Sequence, residues 1–131
     1  MIKVYYKRGC NSSRKALSWF KNQKIQVYKK NINKITVDEI IILLSSTDGG
    51  VEELLKKPNE KNYGEKNKIS DLMDMNLNKA ISFLEAYPSL FRTPIIIKDN
   101  NILVGYNIEE IRKYIPQKYR RNSLMKRDWG N

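Results

Sequence analysis

The sequence predicts an α/β fold in which a β-α-β segment and a β-β-α segment share one sheet. Three observations lead to this prediction. A β-branched and aromatic run near the start precedes an amphipathic pattern, two apolar runs surround a turn near Asp99, and the stretch over about 36–87 is purely helical. At 131 residues the chain fits one domain. We therefore expect residues 1–131 to form a single domain with a helical insertion over about 36–87 and a basic tail over about 116–131.

The first half begins with a strand. "IKVYY", from Ile2 to Tyr6, has the β-branched and aromatic composition of strands. Residues 11–23 have the apolar spacing that predicts an amphipathic helix, since Leu17 and Phe20 lie on one helical face. "KIQVYKKNI" alternates less cleanly and is predicted as the second strand.

The inserted stretch begins with a helix start signal. "TVDE", from Thr36 to Glu39, has the spacing of a capping box, and the apolar run from Ile40 to Leu44 continues the helix. Gly49 and Gly50 in "TDGG" are free to take positive φ and are predicted to end it.

The rest of the insertion alternates between helix and loop. "VEELLKK" is predicted to form a short helix that ends near Pro58. "NEKNYGEKNK", residues 59–68, is predicted to be a polar loop. The pattern from Ile69 to Tyr87 is helical again, with a break near Asn76 and a stop at Pro88.

The last segment is a hairpin followed by a helix. "PIIIKDNNILV" places two short apolar runs around residues 99–101. "NIEEIRKYI" follows, with Asn107 and Glu110 at capping spacing and Pro116 as a stop. A β-α-β half and a β-β-α half in one sheet make up the thioredoxin-type arrangement, here with an inserted helical lobe.

The chain is strongly basic. It carries 25 Lys and Arg against 14 Asp and Glu, a net charge of +11. Such an excess favours acidic partners such as nucleic acid, an acidic protein face or a membrane surface, although it is also typical of AT-rich coding. Between Ile111 and Arg127 there are no acids and seven basic residues: Arg112, Lys113, Lys118, Arg120, Arg121, Lys126 and Arg127. A basic tail of this kind can lie along phosphate groups or an acidic protein.

Composition excludes several classes of site and location. The chain has no histidine, which excludes Cys-His and Ser-His catalysis and most zinc sites. Its one cysteine cannot form an internal disulfide and fits a reducing cytosol. No apolar run approaches the ~20 residues of a membrane span, and the start lacks the apolar segment of a signal peptide. We expect a cytoplasmic protein that needs no metal or other cofactor.

The single cysteine stands where a thiol can be reactive. Cys10 comes just before the first predicted helix, whose positive end should lower the pKa of the thiol. Nearby cationic side chains should act in the same direction, namely Lys7, Arg8, Arg14 and Lys15. The alternative is a buried, inert cysteine. Ser13 stands three residues on; its hydroxyl can cap the helix or hydrogen-bond a thiolate but cannot resolve a mixed disulfide, so turnover would need an external thiol such as glutathione.

The chain resembles the Spx/arsenate reductase-like family of low-GC Gram-positive bacteria, and most closely its Spx branch of transcriptional regulators. The resemblance rests on "C-x-x-[CS]-R-K-A", "TVDEI", "TDGG", "YPSLFRTPIII" and "VGYNIEEIRKYIPQKYR", and it covers essentially the whole chain. The last two segments are specific to the family, whereas C-x-x-S-R alone would fit an arsenate reductase equally well.

The resemblance implies a fold, a partner and a contact residue. The fold is thioredoxin-like, with Pro94 as a cis-proline that faces the Cys10 loop. The partner is the C-terminal domain of the RNA polymerase α subunit, and binding alters promoter use in the stress response. The glycine needed for that contact falls on Gly50, for which a plain helix C-cap is the alternative. Promoter DNA would be contacted only within the polymerase complex, and the free protein would be a monomer.

The chain also departs from the family pattern. Ser13 removes the C-x-x-C switch, and Thr93 stands before Pro94 where the family carries arginine, so whether Arg92 replaces that arginine is left open. Three arginines hold the oxyanion in arsenate reductases, and the matching places here are Lys56 or Lys57, Thr93 and Tyr106. Lysine lacks the bidentate guanidinium fork, which disfavours arsenate reduction.

Three functional hypotheses follow. The leading one is a non-enzymatic regulator that docks on polymerase through helix 11–23, with Arg14 and Lys15, and through the Gly50 turn. The alternative is a monothiol reductase of the arsenate reductase or glutaredoxin kind that uses Cys10. The third is a one-thiol sensor at Cys10, with Ser13 and Arg92 beside it. Free-standing sequence-specific DNA binding is not predicted, because no helix-turn-helix or zinc module is present.

Overall fold

The computed structural model describes residues 1–57 and 62–116. The strands are β1 (Ile2–Tyr6), β2 (Val27–Asn31), β3 (Ile95–Lys98) and β4 (Asn101–Val104). The α-helices are α1 (Asn11–Asn22), α2 (Val37–Ser45), α3 (Tyr63–Met73) and α4 (Leu77–Ala86). Short 3₁₀-helices cover Ile32–Lys34, Val51–Leu54, Pro88–Leu90 and Glu110–Tyr114. Apart from Pro116, the predicted basic tail lies outside the described residues.

The sheet has the predicted mixed topology. Its strand order is β2-β1-β3-β4, with β1 parallel to β2 and antiparallel to β3, and with β3 and β4 paired as a hairpin. Val4 lies opposite Lys29 on one side and Ile96 on the other. The β-α-β and β-β-3₁₀ halves therefore meet at the β1–β3 pair, and the predicted thioredoxin-like α/β fold with a helical insertion is confirmed.

The two faces of the sheet carry separate apolar clusters, because successive strand side chains point to opposite faces. On one face Val4 and Ile96 pack with Ala16 and Phe20 of α1. On the other face Tyr5, Ile95 and Ile97 pack with α2, α3 and α4. We call the segment from α2 to α4 the helical lobe. The lobe and α1 thus cover opposite faces of one sheet.

A polar network fixes the lobe to the sheet. Thr36 and Glu39 form the predicted capping box at the start of α2. Glu39 also accepts hydrogen bonds from Tyr5 of β1 at 2.8 Å and from Lys30 of β2 at 2.6 Å. Burial by itself would raise the pKa of Glu39, but the hydrogen bonds from Lys30, Tyr5 and Thr36 together lower it to about 2.

Three local predictions were wrong. The polar stretch predicted as a loop includes the first half of α3, which begins at Tyr63 with Asn62 as its N-cap. The predicted short helix after Gly50 is a 3₁₀-helix, after which Leu55 bridges to Phe91; Pro58, its predicted end, lies outside the described residues. The helix predicted after the hairpin is also 3₁₀ and covers only Glu110–Tyr114; the Asn107 side chain accepts from the N–H groups of Glu109 and Glu110 at its start.

None of the helices in residues 1–57 and 62–116 is long and apolar enough to cross a membrane.

Candidate functional site

The thiol lies at the junction between β1 and α1. The chain leaves β1 through a turn in which Gly9 has a φ of +81° and the Cys10 N–H donates to the Lys7 carbonyl at 3.1 Å. Cys10 is the N-cap residue of α1, with extended backbone, and its carbonyl accepts from the Arg14 N–H at 3.1 Å. The sulfur therefore stands at the positive end of the helix and is partly exposed.

Two hydroxyl residues surround the sulfur. The Thr93 Oγ1 donates to Cys10 Sγ at 3.4 Å, and Sγ lies 3.7 Å from the Thr93 carbonyl oxygen. The Thr93–Pro94 peptide bond is cis. Ser13 is buried, and its Oγ accepts a hydrogen bond from the Lys7 N–H at 3.1 Å. Ser13 thus holds the loop that carries the thiol.

These contacts set the protonation of the thiol. Burial alone would raise the pKa of Cys10, but hydrogen bonds from Ser13, from Thr93 and from the amides of Ser13 and Ser12 outweigh it. The net result is a lowered pKa. This is the direction that the sequence predicts, but its cause is hydrogen bonding to the sulfur rather than the cationic side chains nearby.

A cationic cleft of about 270 Å³ opens beside the thiol. Four of its lining side chains are basic: Lys7, Arg8, Lys56 and Arg92. None of its lining residues is acidic, although the Lys56 Nζ is paired with Glu65 at 2.8 Å just outside. The cleft can therefore attract a small anion to the sulfur by charge.

The orientation of Arg92, which the sequence left open, is toward this cleft. Its guanidinium packs over Gly105, where an added Cβ would lie 2.8 Å from the guanidinium carbon. Gly105 is buried with a φ of +84°, so the absence of a side chain there leaves room for Arg92. The arginine before Pro94 is missing, but a guanidinium nonetheless lines the thiol cleft.

The places that match the three arginines of arsenate reductases are only partly brought together. Lys56 and Thr93 line the cleft, whereas Lys57 does not. Tyr106 lines a different depression, beside Arg14 and Trp19 of α1. The cleft thus holds two guanidinium groups, of Arg8 and Arg92, and two ammonium groups, of Lys7 and Lys56, and of these only Lys56 stands at a matching place. The three-arginine arrangement with its bidentate forks is not reproduced.

The Gly50 turn belongs to the lobe. α2 ends at Ser45 with Ser46 as its C-cap, so Gly50 is not the helix C-cap and that alternative is wrong. Gly50 instead begins the 3₁₀-helix Val51–Leu54, with a φ of +84° and a ψ of −151°, a region essentially reserved for glycine. A Cβ added to it would meet no atom of the described residues within 4 Å. The turn is open to a partner.

The other predicted docking residues lie elsewhere. Arg14 and Lys15 are exposed on α1, which packs on the opposite face of the sheet from α2. The structure therefore assembles Cys10, Ser13 and Arg92 at one cleft but leaves Gly50 and the Arg14–Lys15 pair on elements that flank the sheet on either side.

Sequence reasoning missed two features. It treated Thr93 as a missing arginine, whereas Thr93 supplies a hydrogen bond to the thiol. It also missed a groove between α1 and β2, to which Lys21 and Lys29 contribute. The sequence signal for the Thr93 hydrogen bond was its position directly before Pro94. The signal for the groove was the mixture of apolar and basic residues in α1 and β2.

Comparison with known proteins identifies the family. A sequence model of the ArsC family matches residues 5–114. The Global transcriptional regulator Spx of Staphylococcus epidermidis is 34% identical over 122 residues, which cover 92% of this chain and 91% of that protein. The chain belongs to the Spx branch of the ArsC family. The Global transcriptional regulator Spx of Streptococcus pneumoniae is 31% identical over 126 residues, 95% of this chain and 92% of that one.

Solved structures agree on the fold. An ArsC family related protein from Bacteroides fragilis superposes with a TM-score of 0.71 at 22% identity, covering 86% of this chain and 95% of that chain. An arsenate reductase from Vibrio cholerae superposes with a TM-score of 0.70 at 18% identity, covering 87% and 97%. At these identities the likeness shows the fold alone. The relatives that match most of the chain are named as transcriptional regulators, which supports regulation of transcription rather than catalysis.

Proposed function

We propose that this protein binds the C-terminal domain of the RNA polymerase α subunit and alters promoter use in the stress response. The similarity to Spx regulators over nearly the whole chain supports the proposal, and the open Gly50 turn is the structural observation that carries it. The protein acts in the cytoplasm, without a cofactor, as a monomer when free. It contacts promoter DNA only within the polymerase complex.

The docking surface begins at the turn. With no side chain at Gly50, the backbone of a partner can approach the main chain closely. The residues around the turn are exposed acids, namely Asp48, Glu52 and Glu53. This part of the surface therefore fits a basic group of the polymerase subunit.

The second part of the docking surface is the exposed face of α1. Arg14 and Lys15 are exposed there and follow the thiol loop directly. These cations fit acidic side chains of the subunit, or phosphate once promoter DNA is brought near. The negative patch and the positive patch lie on elements that flank the sheet on either side, so a partner that reaches both would be oriented as well as attracted.

No internal disulfide switches this contact. Cys10 is the only cysteine of the chain, and Ser13 occupies the place of the second thiol. A disulfide-forming oxidant therefore has no intramolecular bond to close. We infer that the docking surface is constitutively available.

The test must separate the bulk of a new side chain from backbone strain. Gly50→Arg adds both, because a side chain at its φ and ψ costs about 1–3 kcal/mol. Gly50→Ala adds the strain with little bulk. Gly49→Arg adds the bulk to the same turn at a position without a left-handed backbone. An added Cβ would lie 2.7 Å from Glu53 Oε2, the oxygen that accepts the Gly49 N–H, so the flexible end of the Glu53 side chain must move aside.

The measurement is capture of purified RNA polymerase by each full-length variant, with thermal unfolding as the measure of folding. We expect Gly49→Arg and Gly50→Arg to lose capture by at least about tenfold, which is more than ~1.4 kcal/mol of binding free energy. Gly50→Ala should keep most of the capture while unfolding at a lower temperature. Full capture by Gly49→Arg would contradict the proposed surface.

A second candidate function is a one-thiol sensor at Cys10, with Ser13 and Arg92 beside the sulfur. The hydrogen bonds at Sγ and the lowered pKa favour it, since thiolates are the form that oxidants and disulfides attack. Mild peroxide or diamide treatment followed by mass spectrometry should find a sulfenic acid or a mixed disulfide at Cys10. An unmodified Cys10 would end this candidate.

A further inference from the structure

A groove of about 430 Å³ runs between α1 and β2, away from the thiol cleft. Its apolar wall comes from two side chains of α1, Leu17 and Phe20, and from Ile25 and Val27 in the chain that leads into β2. Phe20 is fully buried and the other three are partly exposed. The groove therefore offers apolar surface that a docking segment could bury.

The rim of the groove is basic. Arg14 and Lys21 of α1 and Lys29 of β2 line it, all three are exposed, and no lining residue is acidic. Because side chains alternate along a strand, Val27 and Lys29 both point to the α1 face, toward the groove. An occupant must therefore match apolar surface in the middle and positive charge at the sides.

Within residues 1–57 and 62–116, no strand pairs with the outer side of the neighbouring sheet edge. β2 and β4 are the two edge strands. At β4 the last 3₁₀-helix covers the edge: Lys113 Nζ donates to the Ile102 carbonyl at 3.1 Å, and the Tyr114 hydroxyl donates to the Asn101 carbonyl at 3.3 Å. The outer edge of β2 shows no comparable hydrogen bond within the part of the chain that the structure describes. Unpaired edge groups are ready to bond to an added strand.

We propose that this groove and the edge of β2 bind an extended segment of a partner protein by strand addition. The segment pairs its backbone with β2, and every second side chain of the segment faces α1. Among those side chains, the central ones are apolar and pack against Leu17, Ile25 and Val27, and the outer ones are acidic and face Lys21 and Lys29. Main-chain hydrogen bonds supply affinity in this mode, and the side chains of alternate residues supply specificity.

Charge decides among possible occupants. A second copy of this chain would place its own basic β2 against this one, and like charges across neighbouring strands are destabilising. A nucleic acid would match the rim, but its phosphates would gain nothing from the apolar wall of Leu17 and Phe20. An acidic and apolar polypeptide satisfies both parts of the groove.

This site does not depend on the proposed docking to polymerase. The Gly50 turn lies on the opposite side of the sheet. Arg14 belongs both to the groove rim and to the proposed docking face of α1, so the groove variants change Lys21 and Lys29 and leave Arg14 in place. Binding of polymerase and binding at the groove are therefore tested by different variants, and either can fail alone.

The experiment is a titration of the ¹⁵N-labelled full-length protein with the capped heptapeptide Glu-Thr-Ile-Thr-Ile-Thr-Glu, whose glutamates and isoleucines all lie on one face of an extended strand. We expect amide shifts to concentrate on β2 and on the half of α1 around Lys21. Lys21→Glu combined with Lys29→Glu should weaken binding about tenfold, since two partly desolvated charge pairs of ~0.7 kcal/mol each are lost and reversed. The control is Lys66→Glu combined with Lys79→Glu, the same charge change on α3 and α4, which should weaken binding less than about twofold.

A second peptide, with lysine in place of both glutamates, separates charge complementarity from apolar adsorption and should bind at least about tenfold more weakly. Equal weakening by the two double variants, equal binding of the two peptides, or shifts centred on the Cys10 cleft would each overturn the proposal. So would concentration-dependent dimerisation of the unliganded protein that Lys29→Glu strengthens, since β2 would then be a self-association edge.

Discussion

The thiol loop and the Gly50 turn are built alike but are supported differently. Each holds a glycine with positive φ, Gly9 at +81° and Gly50 at +84°. The thiol loop is tied to the buried residues Ser13 and Thr93, which are 2% and 9% exposed. The Gly50 turn has open space around it. The fold thus fixes the geometry of the thiol and leaves the turn free to meet another molecule.

This contrast shows that a geometry that makes a thiol reactive does not by itself supply a redox cycle. Cys10 accepts hydrogen bonds from two hydroxyl residues and from amides at the start of α1, and these favour a thiolate; a cationic cleft opens beside it. It has no second thiol to resolve a mixed disulfide. The Gly50 turn has no such chemistry, yet its exposure and its acidic neighbours suit recognition of a protein surface.

The first way to test this contrast is to loosen the lobe that carries the turn. Glu39→Gln removes the charge that links α2 to Tyr5 and Lys30, and we expect the free energy of unfolding at pH 7 to fall by about 1–3 kcal/mol. Because the pKa of Glu39 is lowered from 4.5 to about 2, the stabilisation is complete above pH 4.5 and is lost as pH falls toward 2. Urea unfolding at pH 7 and at pH 3 measures both effects.

The control for this prediction is Glu109→Gln, an exposed carboxylate near the last 3₁₀-helix, which should change stability by less than about 0.5 kcal/mol. The difference between wild type and Glu39→Gln should shrink at the lower pH. Equal stability of the two proteins at pH 7 would mean that the network does not hold the lobe on the sheet.

The second test loosens the thiol side. Thr93→Val keeps the shape of the side chain but removes the hydrogen bond to Sγ, so the pKa of Cys10 should rise. Alkylation by iodoacetamide at pH 7 should slow by about threefold to tenfold, because a smaller fraction of the thiol is ionised. The pH at which the alkylation rate reaches half its maximum should rise, by the logarithm of the same factor.

Thr47→Val serves as the matched control, because the Thr47 hydroxyl bonds to the Leu44 carbonyl in the lobe and not to the thiol. Its alkylation profile should coincide with that of wild type. If Thr93→Val also leaves the profile unchanged, the hydrogen bond does not set the reactivity of Cys10.

Local signals in the sequence were sufficient for much of the fold. The capping box at Thr36 and Glu39 and the hairpin near Asp99 each depend on neighbouring residues, and both were predicted correctly. The start of α3 was missed because Tyr63 to Lys68 is almost entirely polar, although Asn62 and Glu65 stand at capping spacing. The single-domain organisation stays a prediction.

The site was less predictable because its contacts join distant parts of the chain. Cys10 and Thr93 are 83 residues apart, and no spacing rule connects them. The direction of Arg92 depends on the space left by Gly105, thirteen residues later. The resemblance to a known family suggested which loops meet, but only the packed structure shows which atoms touch.

The central claim is that the protein acts by binding polymerase and not by reducing a substrate. Its most direct test is one titration of the polymerase α C-terminal domain with wild type, Cys10→Ser and Gly49→Arg. We predict that Cys10→Ser changes the dissociation constant by less than about twofold and that Gly49→Arg raises it by more than about tenfold. The same Cys10→Ser protein serves in a coupled assay with arsenate, glutathione and glutaredoxin. Undisturbed binding by Gly49→Arg, together with turnover in wild type that Cys10→Ser abolishes, would contradict the account.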